Sequence, residues 1–322
     1  MSQERFLVTG ALGCIGAWVV RCLVREDVPV ATFDLGGNPH RLQLIMDDDE
    51  LARVQFITGD ITDLAALERA LGETGTTHLI HLAGLQVPFC KADPALGARV
   101  NVVGTVNVFE AAKRTGLRHI VYASSIAVYG LSEEYPEGPI THGALLRPRT
   151  HYGVYKQANE GTARIYWLDD GIASIGLRPY IVYGPARDQG MTSQPTKAML
   201  AAALGRPHTI PFGGRAVYQY TEDTARAFIQ AARSPFAGAD AYNLGGSVAH
   251  MREIVAGIEA AAPASRGQIS YTDQPLPFPA EMDGAPLEAA IGPLRHTPLA
   301  DGIGATVALF QTAIARGRLA AD

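Results

Sequence analysis

Cysteine and long apolar runs are both scarce in this sequence. Its three cysteines, Cys14, Cys22 and Cys90, share no metal-ligand spacing and form no even disulfide framework. We therefore expect reduced, buried thiols, no bound metal and a cytoplasmic location. No apolar run reaches the roughly 18–20 residues of a membrane-spanning helix. The N-terminus lacks a secretory pattern, and we expect no membrane partner.

Runs of basic residues are also missing, and the charge balance is mildly acidic. The formal net charge is −5, from 27 basic and 32 acidic side chains. Such a balance argues against nucleic acid as a main partner. Length and apolar content are ample, because 322 residues, 47% of them hydrophobic, can bury a large α/β core with a smaller appended portion.

A glycine-rich turn near the N-terminus is the first motif with chemical content. An apolar run over residues 6–8 breaks into three glycines at three-residue spacing before an apolar segment resumes. This pattern predicts a strand, a tight turn and a helix. Glycines let an anion approach the N–H groups at a helix N-terminus, so the turn predicts a dinucleotide pyrophosphate site. The expected contacts are Gly10, Gly13, Cys14, Ile15 and Gly16.

Acidic residues at two predicted strand ends point to the adenosine half of a dinucleotide. Asp34 ends the second strand about twenty residues past the turn, where a carboxylate accepts both ribose hydroxyls. Its charge would repel a 2′-phosphate, so NAD is favoured over NADP. An ordinary solvated loop aspartate is the alternative. After the third strand, Asp60 is expected to bond the adenine amino group and Ile61 to cover the ring.

Strand and helix signals alternate six times as far as residue 177. The alternation predicts an α/β fold, a doubly wound parallel sheet of the Rossmann type. Beyond that point proline and glycine become frequent. We predict an NAD-binding Rossmann domain over residues 1–180 and a smaller, mainly substrate-binding portion over 181–322. About 216–260 is expected to return to the Rossmann domain.

Tyr152 and Lys156 are four residues apart on a predicted helix, so their side chains share one face. A phenol with a pKa of about 10 is a poor base at neutral pH. A nearby ammonium and a positive nicotinamide ring would both lower that pKa, and Tyr152 would then act as general base while hydride leaves the same substrate. Ser125, at a strand tip, would donate a hydrogen bond to the reacting oxygen. A packed aromatic residue and a solvated lysine are the alternative.

These residues belong to a longer series of motifs: Thr9-Gly-x-x-Gly-x-x-Gly16, Asp34, Asp60-Ile61, His81-Leu-Ala-Gly84, Asn101-Val-x-Gly-Thr105, Ser124-Ser125, Val128-Tyr129-Gly130, Tyr152-x-x-x-Lys156 and Arg178-Pro-x-x-Val-Tyr-Gly-Pro185. Over essentially the whole chain they resemble the extended short-chain dehydrogenases/reductases, in the NAD-dependent epimerase/dehydratase group. The resemblance implies NAD as cofactor and a homodimer that pairs helices 96–114 and 152–168. Besides the residues of the glycine turn and of the two strand ends, the cofactor contacts are expected to include Leu82, Ala83, Gly84, Asn101, Tyr152, Lys156 and Tyr180.

Two departures from that group bear on the substrate. Sugar-nucleotide epimerases usually have asparagine where this chain has Ile181, and an arginine for the diphosphate where it has Ala216, with Arg215 one step away. Both losses favour a smaller sugar, sugar acid, polyol or hydroxy-carbonyl compound. Ser125, Ile181 and Arg187 are the candidate substrate contacts, and a structural surface role is the alternative for Arg187.

Three functions are compatible with these motifs. The first is a net NAD-dependent oxidoreductase acting on a small molecule. The second is a nucleotide-sugar epimerase or dehydratase that retains its NAD. The third is a non-catalytic dinucleotide sensor, which the intact set of Ser125, Tyr152 and Lys156 disfavours, because a sensor has no use for a general base.

Overall fold

The computed structural model describes residues 4–319. The strands are β1 (Phe6–Thr9), β2 (Val30–Asp34), β3 (Gln55–Thr58), β4 (His78–His81), β5 (His119–Ala123), β6 (Ala173–Arg178), β7 (Ile181–Tyr183), β8 (His208–Ile210), β9 (Arg215–Tyr220), β10 (Ala239–Asn243), β11 (Ser247–His250) and β12 (Ile269–Tyr271). The helices are α1 (Cys14–Arg25), α2 (His40–Ile45), α3 (Asp48–Leu51), α4 (Leu64–Thr74), α5 (Val87–Ala92), α6 (Pro94–Ala98), α7 (Gly104–Thr115), α8 (His151–Asp170), α9 (Gln194–Ala203), α10 (Thr221–Arg233), α11 (Met251–Ala261), α12 (Ala285–Ile291) and α13 (Leu299–Ala315). Within the described residues, none of these helices has the length and apolar character needed to cross a membrane.

Seven parallel strands form the central sheet, in the order β3-β2-β1-β4-β5-β6-β10. Val8 of β1 lies beside Thr32 of β2 on one side and Ile80 of β4 on the other. The strand order reverses between β1 and β4, and such a switch point opens a ligand crevice at the carboxyl ends of the strands. The order confirms the predicted doubly wound sheet.

Separate apolar layers cover the two faces of this sheet. Phe6 and Val8 of β1 pack with residues of α1 and α10, whereas Leu7 packs with residues of α4 and α7. Successive side chains of a strand point to opposite faces, so a strand covered on both sides is apolar along its length. This is why β1 is buried throughout and delivers the glycine turn from a rigid base.

A second, smaller core lies beyond β6. In its three-stranded sheet, β9 runs parallel to β7 and antiparallel to β11, while β8 and β12 form a separate parallel pair. Buried residues of α9, α11 and α13 pack in one cluster with Tyr218 of β9; Met199, Ile258 and Val307 are among them. This portion stands at the carboxyl ends of the main strands and borders the crevice.

Only the middle of the range 216–260 returns to the central sheet. α10 packs against α1, and β10 pairs with β6 at the edge of the sheet. β9 and α11 belong to the smaller core, because Val217 and Ile254 point their apolar side chains into it. The segment that returns to the central sheet, residues 221–243, is therefore shorter than the predicted range of about 216–260.

The helix expected over residues 96–114 is interrupted near its start. A π-helical segment, Arg99–Val103, joins α6 to α7. Such a wide turn is frequent at functional sites, and here it contains Asn101. The sequence pattern gave no sign of it, since the apolar spacing continues through the segment.

Candidate active site

A cleft of about 700 Å³ opens at the carboxyl ends of the central strands. The glycine turn, the loops after β2, β4 and β7, and the start of α8 all contribute to its lining. Most of the residues predicted from the sequence line it: Gly10, Gly13, Cys14, Ile15, Gly16, Asp34, Asp60, Ile61, Leu82, Ala83, Gly84, Ser125, Tyr152, Lys156, Tyr180 and Arg187. Asn101 and Ile181 are not part of the lining.

The glycine turn has the backbone geometry of an anion cradle. Gly10 has φ +68°, and a Cβ there would lie 2.5 Å from the Ala83 nitrogen. A Cβ on Gly16 would lie 2.4 Å from the Gly10 carbonyl oxygen. Gly13 caps α1 without a side-chain hydrogen bond, so the first helical N–H groups face the cleft unshielded. These features fit a dinucleotide pyrophosphate.

Asp34 and Asp60, the two residues expected to bind adenosine, accept hydrogen bonds from backbone N–H groups. Asp34 accepts from the Leu12 and Leu35 nitrogens, each at 2.9 Å, with one oxygen apiece. Each carboxylate oxygen still has a lone pair for a ribose hydroxyl. Asp60 accepts from the Thr62 nitrogen at 2.8 Å with Oδ1, which orients its carboxylate at the mouth of the cleft.

Asn101 lies behind the cleft wall and supports it. Its side chain is buried, and Nδ2 donates to the carbonyl oxygens of Leu85 at 3.2 Å and Gly97 at 3.0 Å. Its Oδ1 has no hydrogen-bond partner within residues 4–319. A Cβ on Gly84 would lie 2.6 Å from that oxygen. The amide therefore fixes the loop after β4, on which Gly84 lines the cleft.

The start of α8 brings the tyrosine, the lysine and the serine together. Thr150 Oγ1 caps the helix by accepting from the Gly153 nitrogen at 3.0 Å, which places Tyr152 in the first turn. Lys156 is 4% exposed, its Nζ donates to the Ala123 carbonyl at 2.7 Å, and it lies 5.6 Å from the centroid of the Tyr152 ring. Ser125 follows β5 and faces the same space. The structure therefore assembles the predicted constellation.

Burial dominates the protonation of both groups. It lowers the pKa of Lys156 to about 8, against the opposing charges of Cys90 and Glu160. Burial raises the pKa of Tyr152, while the Ser125 hydroxyl and the charge of Arg187 act in the opposite direction. The lowering expected for the Tyr152 pKa is therefore wrong for the protein groups alone, because loss of water outweighs the nearby cations.

A buried ion pair stands directly behind these residues. Arg178 donates to Glu160 through Nε at 2.8 Å and Nη2 at 2.7 Å, and Ser124 Oγ donates to the same carboxylate at 2.5 Å. Arg178 Nη1 donates to the Tyr129 hydroxyl at 2.6 Å. This network fixes the tip of β5 against α8. Sequence reasoning missed Glu160, although its place one helical turn beyond Lys156 was a usable signal.

The substrate side of the cleft differs from expectation at one position. Tyr180 and Val182 line the cleft, whereas Ile181 is fully buried in the smaller core. Side chains alternate along a strand, so Ile181 points away from the cleft and cannot touch a substrate there. Arg187, in the loop after β7, does line the cleft.

The position expected to bind a diphosphate is not in the cleft. Ala216 is buried in the smaller core. Arg215 forms an ion pair with Glu281, with 2.9 Å between Nη2 and Oε1, and neither residue lines the cleft. In α10, which follows β9, Asp223 accepts from the Thr297 hydroxyl at 3.0 Å and so holds the segment before α13 in place. This region therefore has a structural role.

A polar bridge over the glycine turn was not anticipated. Arg41 Nε donates to Asp188 at 2.8 Å, while its Nη1 donates to the Leu12 carbonyl at 2.7 Å. His40 Nε2 lies 3.1 Å from the second oxygen of Asp188. The bridge joins the start of α2 to the glycine turn and to the loop after β7. Its partners are far apart in sequence, so no local pattern signals it.

Comparisons with known proteins agree with this geometry. The model of the NAD dependent epimerase/dehydratase family matches residues 6–245. A UDP-glucose 4-epimerase of Mycolicibacterium smegmatis is 30% identical over 326 residues, covering 95% of this chain and 98% of that protein. The crystal structure of a Thermus thermophilus UDP-glucose 4-epimerase in complex with NAD is 28% identical, with a TM-score of 0.80, and the match covers 96% of this chain and 100% of that one.

An enzyme of another activity shares the fold. The holo form of an L-threonine dehydrogenase from Cupriavidus necator is 23% identical, with a TM-score of 0.81 over 97% of this chain and 100% of that one. The same fold is thus found with more than one activity, so the reaction has to be inferred from the residues of the site and not from the fold. From the cleft, the family match and the full-length relatives we conclude that the chain is an enzyme of the NAD dependent epimerase/dehydratase family, with NAD as its cofactor.

Proposed function

We propose that the enzyme is a net oxidoreductase that transfers hydride between NAD and a hydroxyl or carbonyl carbon of a small sugar, sugar acid, polyol or related compound. One observation carries the proposal. The position at which sugar-nucleotide epimerases usually have an arginine for the diphosphate is the buried Ala216, and the neighbouring Arg215 is paired with Glu281 outside the cleft lining. Binding energy for a diphosphate would have to come from other residues. A smaller substrate needs no such contact.

The glycine turn and two carboxylates would hold the cofactor. The N–H groups at the start of α1 would bind the pyrophosphate, and Asp34 and Asp60, which line the same cleft, would bind the adenosine. Lys156 would donate to the nicotinamide ribose. When bound, NAD supplies a hydride acceptor and, in its oxidised form, a positive charge near the reacting carbon.

Tyr152 is the general acid/base of the proposed reaction. Burial keeps its phenol protonated at rest, so the proton is ready for a carbonyl oxygen in the reductive direction. In the oxidative direction the phenolate must form, and the neighbouring cations stabilise it. Ser125 Oγ accepts from the Ala127 nitrogen at 3.2 Å, which leaves its own hydrogen to donate to the substrate oxygen.

A nucleotide-sugar 4-epimerase or dehydratase that retains NAD is the second candidate. The Mycolicibacterium relative is a UDP-glucose 4-epimerase by name and matches along 95% of this chain. The bridge from Arg41 to Asp188 also spans the glycine turn and would slow cofactor release. Both observations suit an enzyme that keeps its cofactor through many turnovers.

Cofactor exchange separates the two candidates. The purified enzyme is mixed with NAD and a panel of sugars, sugar acids and polyols, and NADH is followed by absorbance. Steady NADH formation is expected. Tightly bound NAD that survives gel filtration, together with interconversion of UDP-sugars without net NADH, would contradict the proposal.

The same family membership supports a homodimer. Apolar side chains are exposed along the π segment with its flanking helices and along α8: Leu96, Val103, Val154, Ile165 and Leu168. A second copy would bury this stripe in a four-helix bundle. Light scattering should give a dimer, and Ile165→Glu should shift it to monomer. A wild-type monomer at micromolar concentration would exclude the arrangement.

A further inference from the structure

Arg187 is a half-buried cation of the cleft lining that lacks an acidic partner. Within residues 4–319, no carboxylate forms an ion pair with it, and its neighbour Asp188 is paired with Arg41 and His40. Its Nε is buried and has no hydrogen-bond partner among those residues, while Nη2 donates to Thr192 Oγ1 at 3.0 Å. The guanidinium has no counter-charge among the described residues and its Nε is unpaired, so the site favours an incoming anion.

The loop that carries Arg187 is held in place from several sides. Trp18 of α1 donates through its indole nitrogen to the Pro185 carbonyl at 2.8 Å. The preceding Ala186 has φ +73°, a conformation that costs energy for any residue with a side chain. Gly190 has φ +92°, and a Cβ there would lie 2.2 Å from Gln86 Oε1. A strained, fixed backbone next to a cleft is characteristic of a preorganised binding group.

The charge of Arg187 also reaches the reacting phenol. It is the largest charge acting to lower the pKa of Tyr152, and the largest acting to lower that of Cys14. The guanidinium therefore stands within electrostatic range of both the tyrosine and the N-terminus of α1. Two anions could meet it: a group on the substrate, or the cofactor pyrophosphate.

We propose that Arg187 binds a carboxylate of the substrate, so that the enzyme acts on hydroxy acids or sugar acids in preference to neutral polyols. The inference rests on the proposed function and narrows its substrate class. The guanidinium fork matches the two oxygens of a carboxylate. The pyrophosphate would be bound by the N–H groups at the start of α1. Near Tyr152, the ammonium of Lys156 already donates to the Ala123 carbonyl, whereas Arg187 has only the neutral Thr192 hydroxyl as a partner among the described residues.

The carboxylate takes no part in the bond changes. In oxidation, the hydroxyl-bearing carbon would lose a hydride to oxidised NAD, and the hydroxyl proton would pass to the phenolate of Tyr152. The product is a carbonyl compound that keeps its carboxylate on Arg187. The ion pair fixes which hydroxyl faces Tyr152, which is a positioning effect on the substrate.

Two substitutions at Arg187 and one control test this assignment. Arg187→Met removes the charge, Arg187→Lys keeps it without the fork, and Arg215→Met removes an arginine outside the cleft. Each is assayed with gluconate and other hydroxy acids, each beside the neutral alcohol of the same skeleton, and NAD affinity is measured separately by calorimetry. We expect Arg187→Met to raise KM for the acids about 10- to 100-fold with unchanged NAD affinity. Arg187→Lys should lie between, and Arg215→Met should match the wild type.

The outcomes distinguish the sources of the anion. A weaker NAD affinity in Arg187→Met with an unchanged KM for acids would assign Arg187 to the pyrophosphate and overturn the inference. Equal use of acids and neutral alcohols by the wild type would overturn it as well. If no compound yields NADH, the proposed function fails. In that case, calorimetry of gluconate with the enzyme–NADH complex still tests Arg187. Gluconate binding that is lost in Arg187→Met supports the carboxylate site. If gluconate does not bind to the wild type, the carboxylate site is contradicted.

Discussion

Tyr152 and Lys156 stand one helical turn apart at the cleft, with the Lys156 side chain buried. Burial moves both pKa values toward the neutral form of each group, up for the phenol and down to about 8 for the ammonium. The resting pair is thus a neutral tyrosine beside a lysine that is still mostly charged at pH 7. This arrangement favours proton donation by Tyr152, and phenolate formation depends on cations that arrive with the ligands.

Tyr152→Phe tests the proposed proton transfer. The change removes one hydroxyl and leaves the ring, so kcat should fall by about two to four orders of magnitude while NAD affinity stays within a factor of about two. Tyr155→Phe is the matched control on the same helix, since its hydroxyl donates to the Pro94 carbonyl at 2.8 Å and lies outside the cleft lining. Steady-state kinetics and calorimetry measure the two effects. Retained turnover in Tyr152→Phe would refute the mechanism.

The pKa of Lys156 predicts a pH dependence of NAD binding. The side chain is charged below about pH 8 and neutral above it, and a charged donor binds the ribose hydroxyls more strongly than a neutral one. NAD affinity should fall about 3- to 10-fold from pH 7 to pH 9. Calorimetry at several pH values measures this, and Lys156→Met should flatten the profile. A flat profile in the wild type would argue against the contact.

Asp34 sets the expected choice of cofactor. Asp34→Asn keeps the shape of the side chain and removes its charge, so NAD affinity should fall about 10-fold while discrimination against NADP decreases. Asp27→Asn, at an exposed carboxylate paired with Arg53 at 2.5 Å, is the control. Binding titrations with both dinucleotides give the result. An unchanged NAD affinity in Asp34→Asn would leave Asp34 as a loop aspartate.

At the level of single elements, the strand–turn–helix unit of β1 and α1 is the most constrained part of the cleft. Gly10 combines a left-handed backbone with contact to the loop after β4, and Gly16 lets α1 begin close to the turn. Neither position has room for a methyl group. The sequence predicted this unit well because its glycine spacing reflects local backbone geometry.

Two glycine substitutions should have opposite effects on stability. Gly10→Ala forces a side chain into a left-handed conformation 2.5 Å from the Ala83 nitrogen, and should lower the free energy of unfolding by about 1–3 kcal/mol. Gly161→Ala, on α8, meets no atom within 4 Å and should raise it by about 0.5–1 kcal/mol. Denaturant unfolding measures both. Equal stability of the two variants would contradict this account of the turn.

Sequence patterns predicted some other elements of the site and not others. The helix pattern predicted that Tyr152 and Lys156 share a face, because a four-residue spacing fixes that regardless of the rest of the fold. The side of β7 that faces the cleft depends instead on its pairing with β9, and so Ile181 was misplaced. The π segment around Asn101 could not be foreseen either, because the apolar spacing of the sequence continues through it.

For the whole molecule, the cleft is bounded by the core of the central sheet and by the smaller core, and the chain alternates between them. The chain leaves the central sheet after β6, returns for α10 and β10, and leaves again for β11 and α11. The sequence predicted the change of character near residue 178 and a return over about 216–260, but not that β9 and α11 belong to the smaller core. Contacts between distant segments, such as Arg41 with Asp188, depend on this path and escape any local pattern.

The stoichiometry of NADH and product tests the central claim most directly. The enzyme is incubated with excess NAD and a substrate that it consumes, and carbonyl product and NADH are quantified in the same sample. We predict one NADH released for each carbonyl product, over many turnovers per enzyme. Consumption of substrate with no NADH beyond the enzyme-bound amount would show that hydride returns to the product, and would identify an epimerase or dehydratase instead.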